Sequence, residues 1–119
     1  MTETTQKLTI YHNPRCSKSR QALALLEERG IEPEVVEYLK TPPTKAELKA
    51  LLQKLGLRPA QLVRTGEELY KEKFRDRDLT DDQWLDALAE HPILLERPIV
   101  VRGGRAIVGR PLEKVLEVL

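Results

Sequence analysis

A single cysteine, Cys16, is all the thiol that these 119 residues contain, so no disulfide can form within the chain. Histidines number two, and neither stands at metal-ligand spacing from the cysteine, which leaves no zinc motif. The sequence has no run of the roughly 20 apolar residues that a membrane span needs. The stretch Met1-Thr2-Glu3-Thr4-Thr5-Gln6-Lys7 lacks the apolar region of an export signal. Internal repeats, low-complexity segments, a Walker loop and a dinucleotide glycine fingerprint are all missing. The Cys-x5-Arg anion loop of cysteine phosphatases fails as well, because Ala22 stands where its arginine belongs. A net charge of +1 supplies no overall field to draw in nucleic acid. With 33% charged and 40% apolar residues, the composition is that of one soluble domain able to bury a core. A lone thiol without an export signal sets the expectation of a reducing cytoplasm.

Within those bounds the pattern is regular. Residues 7 to 12 read as a strand, and Ala22, Leu23, Leu25 and Leu26 form the apolar stripe of a following helix. Ser17 or Ser19 is placed to cap that helix and Gly30 to stop it. Glu34 to Leu39 reads as a second strand, ended by Thr41-Pro42-Pro43, and a right-handed crossover makes it parallel to the first. Three capping signatures follow: Thr44 with Glu47, Thr65 with Glu68, and Thr80 with Gln83. Leu48, Leu51, Leu52 and Leu55 line the first of these helices before Gly56. Trp84, Leu85 and Leu88 line the last, which His91-Pro92 ends. Pro59 opens a short turn between Leu57 and Arg64. Ile99-Val100-Val101 and Ala106-Ile107-Val108 then form a hairpin about Arg102-Gly103-Gly104-Arg105. Pro111 starts a terminal helix with Leu112, Val115, Leu116 and Leu119 on its apolar face. The order is strand-helix-strand, helical insert, strand-strand-helix. That is the thioredoxin layout: a mixed four-stranded sheet flanked by helices, with an insertion in its middle.

The chemistry gathers in one turn, His12-Asn13-Pro14-Arg15-Cys16-Ser17-Lys18-Ser19-Arg20, between the first strand and the first helix. A thiol at a helix start meets backbone N–H groups that lack carbonyl partners, and the positive end of the helix dipole favours its thiolate. Arg15, Lys18, Arg20 and the ionisable His12 act in the same direction. Cys16 is therefore the candidate nucleophile. Arg15 and Lys18 are expected to be exposed and to contribute a field at most. Arg29, Arg58, Arg75 and Arg77 read as solvated surface, Arg102 and Arg105 as turn residues, and His91 as a helix terminator.

That turn, together with Tyr38-Leu39-Lys40-Thr41-Pro42-Pro43, the run from Glu90 to Val101 and Gly109-Arg110-Pro111, resembles the glutaredoxin-linked arsenate reductases, in register from about Leu8 to Leu119. The resemblance implies one ArsC-like domain over residues 1–119. Its thioredoxin-like core would span about 7–40 and 92–119, and its helical insert about 44–91. It implies Cys16 as the nucleophile on arsenate and Arg64, Arg97 and Arg110 as the oxyanion ligands. Arg15 and Ser17-Lys18 depart from the smaller, less charged residues of the best-characterised members. The fold resemblance also implies a cis Pro98.

Arsenate is a tetrahedral anion, so attack by a thiolate brings two negative charges together. Arginine offsets that repulsion because it stays protonated and its planar fork bonds two oxygens at once. Arg97 precedes one hairpin strand and Arg110 follows the other, which sets both at the same end of the sheet. His12 can serve as a cationic partner of the thiolate or pack at the strand end. Ser19, in a Cys-x-x-Ser spacing, can donate to the sulfur or cap the helix, and Arg20 adds positive charge. No bound cofactor or metal is expected. With no second cysteine, the resemblance implies glutathione as co-substrate and glutaredoxin as the partner that closes the cycle, without nucleic acid or membrane. Two other functions stay open. One is a thiol oxidoreductase acting on a glutathione mixed disulfide or another small electrophile. The other is a regulator that binds RNA polymerase, in which a Cys-x-x-Cys pair senses oxidation; Ser19 in the second position forbids that switch.

Overall fold

A computed structural model describes residues 8–119, so the expected strand residue Lys7 lies outside it. The chain divides into two compact units. One takes in the chain through Tyr38 and again from Arg97 to Leu119, the other Leu39–Glu96.

The first unit is built on a four-stranded sheet in the order β2-β1-β3-β4. The strands are β1 (Leu8–His12), β2 (Glu34–Glu37), β3 (Ile99–Arg102) and β4 (Arg105–Val108). Strands β1 and β2 run parallel, and helix α1 (Ser17–Glu28) supplies the crossover that parallel neighbours require. Strand β3 is antiparallel to both β1 and β4, which makes the sheet mixed, as expected. Alternation along β1 buries Leu8, Ile10 and His12 on one face. Ile10, Ala22, Leu26, Val100 and Val115 close the core, each large side chain worth roughly 1.5–3 kcal/mol of burial. Helix α1 ends in a Schellman motif. Ile31 N–H donates to Leu26 O and Gly30 N–H to Glu27 O, with Gly30 at φ 73°. Arg102 pairs with Arg105, leaving Gly103-Gly104 as a two-residue turn with Gly103 at φ 60°.

The second unit is helical: α2 (Lys45–Leu55), a 3-10 turn at Pro59–Leu62, α3 (Glu68–Lys73), α4 (Asp81–Glu90) and a 3-10 turn at Pro92–Leu94. Thr44 and Thr80 form the expected capping boxes with Glu47 and Gln83. Leu48, Leu51, Leu52, Trp84, Leu85 and Leu88 are buried. Lys45 bridges Asp82 and Asp86 at 2.8 and 2.9 Å, tying α2 to α4.

Several local expectations fail. Cys16 itself occupies the N-cap of α1 without a side-chain cap, so neither Ser17 nor Ser19 caps that helix. Thr65 caps nothing: Glu67 N–H donates to Arg64 O in a tight turn, and α3 begins only at Glu68, with Glu67 at its N-cap. Strand β2 stops at Glu37, and Tyr38 turns away into a buried position. The terminal helix (Leu112–Val118) is 3-10, with Pro111 at its N-cap rather than its first position. At three residues per turn Val115 and Val118 align on the core, while Leu116 is 42% exposed.

The two threonines offer a clean comparison. Thr80→Ala should lower stability by about 1 kcal/mol through loss of its cap, whereas Thr65→Ala should stay within about 0.5 kcal/mol of the parent. Urea unfolding of both variants checks this, and equal losses would contradict the assignment.

Candidate active site

The Cys16 turn is wound by its own backbone and by three short side chains. Cys16 N–H donates to Asn13 O at 2.9 Å, and Arg20 N–H donates to Cys16 O at 3.0 Å, the first bond of α1. Asn13 Oδ1 accepts from Arg15 N–H at 3.0 Å, an Asx turn that fixes the residue before the cysteine. Ser19 is fully buried and reaches back to the strand end. Its Oγ accepts from Asn13 N–H at 3.0 Å and lies 2.6 Å from His12 Nδ1, where the imidazole tautomer decides which atom donates. Ser19 therefore neither caps the helix nor engages the sulfur. Its hydroxyl ties β1 to α1.

Arg110 meets this turn from the end of the hairpin, with the Arg97 carbonyl beside it. Ile99 pairs with Val108, so the residues just outside the two strands come side by side. Gly109 N–H donates to Pro98 O at 2.8 Å. A Cβ on Gly109 would stand 3.0 Å from both Pro98 Cγ and Val115 Cγ2, so any larger residue would press on these two neighbours. The Arg97–Pro98 and Arg110–Pro111 bonds are both cis. Arg97 is only 7% exposed. Arg110 Nε donates to Arg97 O at 2.6 Å, and its Nη2 faces Cys16 Sγ at 3.7 Å. One half of the guanidinium is thus fixed to the sheet and the other half is presented to the sulfur.

The remaining basic residues divide by how they are held. Arg20 is exposed but folds onto the turn, its Nη1 donating to Pro14 O at 3.2 Å. Arg15 and Lys18 are exposed. Arg64 belongs to the helical unit, where its guanidinium lies 3.4 Å from Glu67 and 3.6 Å from Glu96. Cys16, His12, Ser19, Arg20, Arg97 and Arg110 all belong to the sheet unit. Sequence reasoning passed over Asn13 and Gly109. An Asn two residues before a turn N–H, and a Gly flanking the second cis proline, were the available signals.

The acidity of His12 is shifted. Burial lowers its pKa below the ordinary 6.5, Glu37 opposes that, and Arg20 reinforces it. A depressed pKa favours the neutral imidazole at pH 7, which argues against the reading of His12 as a cationic partner of the thiolate. A depressed imidazole pKa contributes stability that is complete above about pH 6.5 and is lost as pH falls toward the folded-state value. Chemical unfolding between pH 7.5 and 5 should show that loss, flattened in His12→Gln, and the His12 ring resonances should titrate below 6.5. Titration at or above 6.5 would refute the neutral assignment.

Among the described residues no three His, Cys, Asp or Glu side chains cluster to hold a metal ion. No helix among them is long and apolar enough to cross a membrane. A thiol facing a fixed guanidinium at a helix start can attack an electrophile and balance negative charge as it does so. Comparison with known proteins gives this geometry a context. A sequence model of the ArsC family matches residues 11–118. The chain is 56% identical over 115 residues to an arsenate reductase of Neisseria meningitidis serogroup A, covering 95% of this chain and 98% of that protein. It is 43% identical over 113 residues to an arsenate reductase of Escherichia coli K12, covering 94% and 80%. The solved structure of an arsenate reductase from Vibrio cholerae superposes with a TM-score of 0.91 at 54% identity, over 98% of this chain and 100% of that one. The chain belongs to the ArsC family, and its mixed sheet with flanking helices is the thioredoxin-like fold of the arsenate reductases it resembles.

Proposed function

We propose that this protein reduces arsenate to arsenite in the cytoplasm, with Cys16 as nucleophile, glutathione as the thiol donor and glutaredoxin closing the cycle. The observation that supports this reading above all others is Arg110, whose Nη2 stands 3.7 Å from Cys16 Sγ while its Nε is fixed on Arg97 O. The Cys16 thiolate bonds to arsenic, and one arsenate oxygen takes up protons and leaves as water. Arsenic is still pentavalent in that adduct. The two electrons that reduce it come from a pair of thiols that end as a disulfide. In sum, arsenate and two glutathione molecules give arsenite, glutathione disulfide and water. Glutaredoxin takes over the glutathionyl group in the catalysed cycle. Arg110 and Arg97 hold the oxyanion by charge-assisted bonds that a guanidinium makes in pairs. Arg64 shares in oxyanion binding on the strength of the family resemblance. His12 and Ser19 act on the reaction only by fixing the turn.

Arsenite formation with glutathione and glutaredoxin tests each part. Cys16→Ser should abolish it, and full turnover in that variant would end the proposal. Arg110→Ala should lower kcat/KM for arsenate by about 10- to 100-fold, the loss of one bond to a charged group of roughly 1.5–3 kcal/mol. Arg64→Ala should raise the KM for arsenate.

A further inference from the structure

The cations around Cys16 fall into two sets, and only one suits a small tetrahedral anion. Arg110 is pinned to Arg97 O and Arg20 to Pro14 O, so their positions are fixed. Arg15 and Lys18 are exposed, flank the cysteine on both sides, and make no side-chain hydrogen bond or ion pair among the described residues. They also sit against local preference, because the dipole at a helix start favours acidic residues. The first turns of α2, α3 and α4 carry Glu47, Glu68, and Asp81 with Asp82, while that of α1 carries no acid. Two exposed charges beside the nucleophile, without partners among the described residues, are not held to one geometry. They can raise the local concentration of a flexible anion and orient its approach.

We propose that Arg15 and Lys18 are the docking charges for the thiol co-substrate, selecting a small thiol that carries carboxylates over a neutral or cationic one. The inference rests on the thiol-dependent cycle proposed above. Glutathione has the matching chemistry: two carboxylates and one ammonium on a flexible backbone, with its sulfur between them. Its carboxylates meet Arg15 and Lys18 while Arg97 and Arg110 stay committed to the oxyanion. The pair is a specificity determinant for the second substrate and leaves the first untouched.

The test does not need arsenate. Reaction of Cys16 with 2,2′-dithiodipyridine makes a mixed disulfide with an uncharged leaving group. An added thiol then attacks the Cys16 sulfur, the bond to thiopyridine breaks, and 2-thiopyridone departs with the thiol proton and is followed by absorbance. In the parent protein the rate with glutathione should fall as salt is raised, and the rate with 2-mercaptoethanol should not. In Arg15→Gln/Lys18→Gln the glutathione rate should fall by about 3- to 10-fold and lose its salt dependence, with 2-mercaptoethanol changed by less than about twofold. Arg15→Glu/Lys18→Glu should slow glutathione further and speed cationic cysteamine. An unchanged glutathione rate overturns the inference. So does an equal slowing of all three thiols, which would reveal damage to the turn, and so does an effect confined to glutaredoxin-driven turnover. If the charge selectivity is present while arsenite formation is absent, the docking pair stands and the arsenate reading fails.

Discussion

One buried hydroxyl holds the candidate site in shape. Ser19 Oγ, seven residues along the chain from His12, joins the end of β1 to the first turn of α1 and satisfies Asn13 N–H on the way. Its absence would strand two buried polar groups at about 1–3 kcal/mol each. The arrangement follows from alternation along β1, which turns His12 toward the same face as Leu8 and Ile10. An imidazole on a core face needs a partner, and the first turn of α1 supplies one. The cysteine is consequently set at the N-cap, where a helix leaves its first N–H groups without carbonyls.

The second constraint comes from the hairpin. Its register puts Gly109 tightly against Pro98, and that contact sets Arg110 beside Arg97. A guanidinium has donors enough to be both an anchor and a ligand. Arg110 uses Nε on the Arg97 carbonyl and keeps Nη2 for the sulfur. A lysine could not divide its charge that way, since its ammonium is a single point at the end of a flexible stem.

Much of this was legible in the chain. The parallel pairing of β1 with β2, the two true capping boxes and the shared sheet end of Arg97 and Arg110 follow from local patterns plus the handedness of a crossover. What escaped depends on residues distant in sequence or on small differences in helical pitch. Thr65-Gly66-Glu67-Glu68 spells the same cap as Thr80-Asp81-Asp82-Gln83, yet a turn closed on Arg64 consumes it. Ser19 had two plausible local partners, and the real one lies across the turn on β1. A seven-residue terminal segment carries too few positions to tell a period of 3.6 from a period of three, so Leu116 was assigned to the wrong face.

The acidity of His12 bears on the electrostatics of the site. Burial pushes the imidazole toward its neutral form, which makes it a poor candidate to balance a thiolate. The positive groups at the sulfur are the start of α1 and the Arg110 guanidinium. The histidine in the turn then contributes shape, through Ser19, and the pH dependence it brings belongs to the stability of the fold. What faces the sulfur is a guanidinium that the hairpin register puts in place.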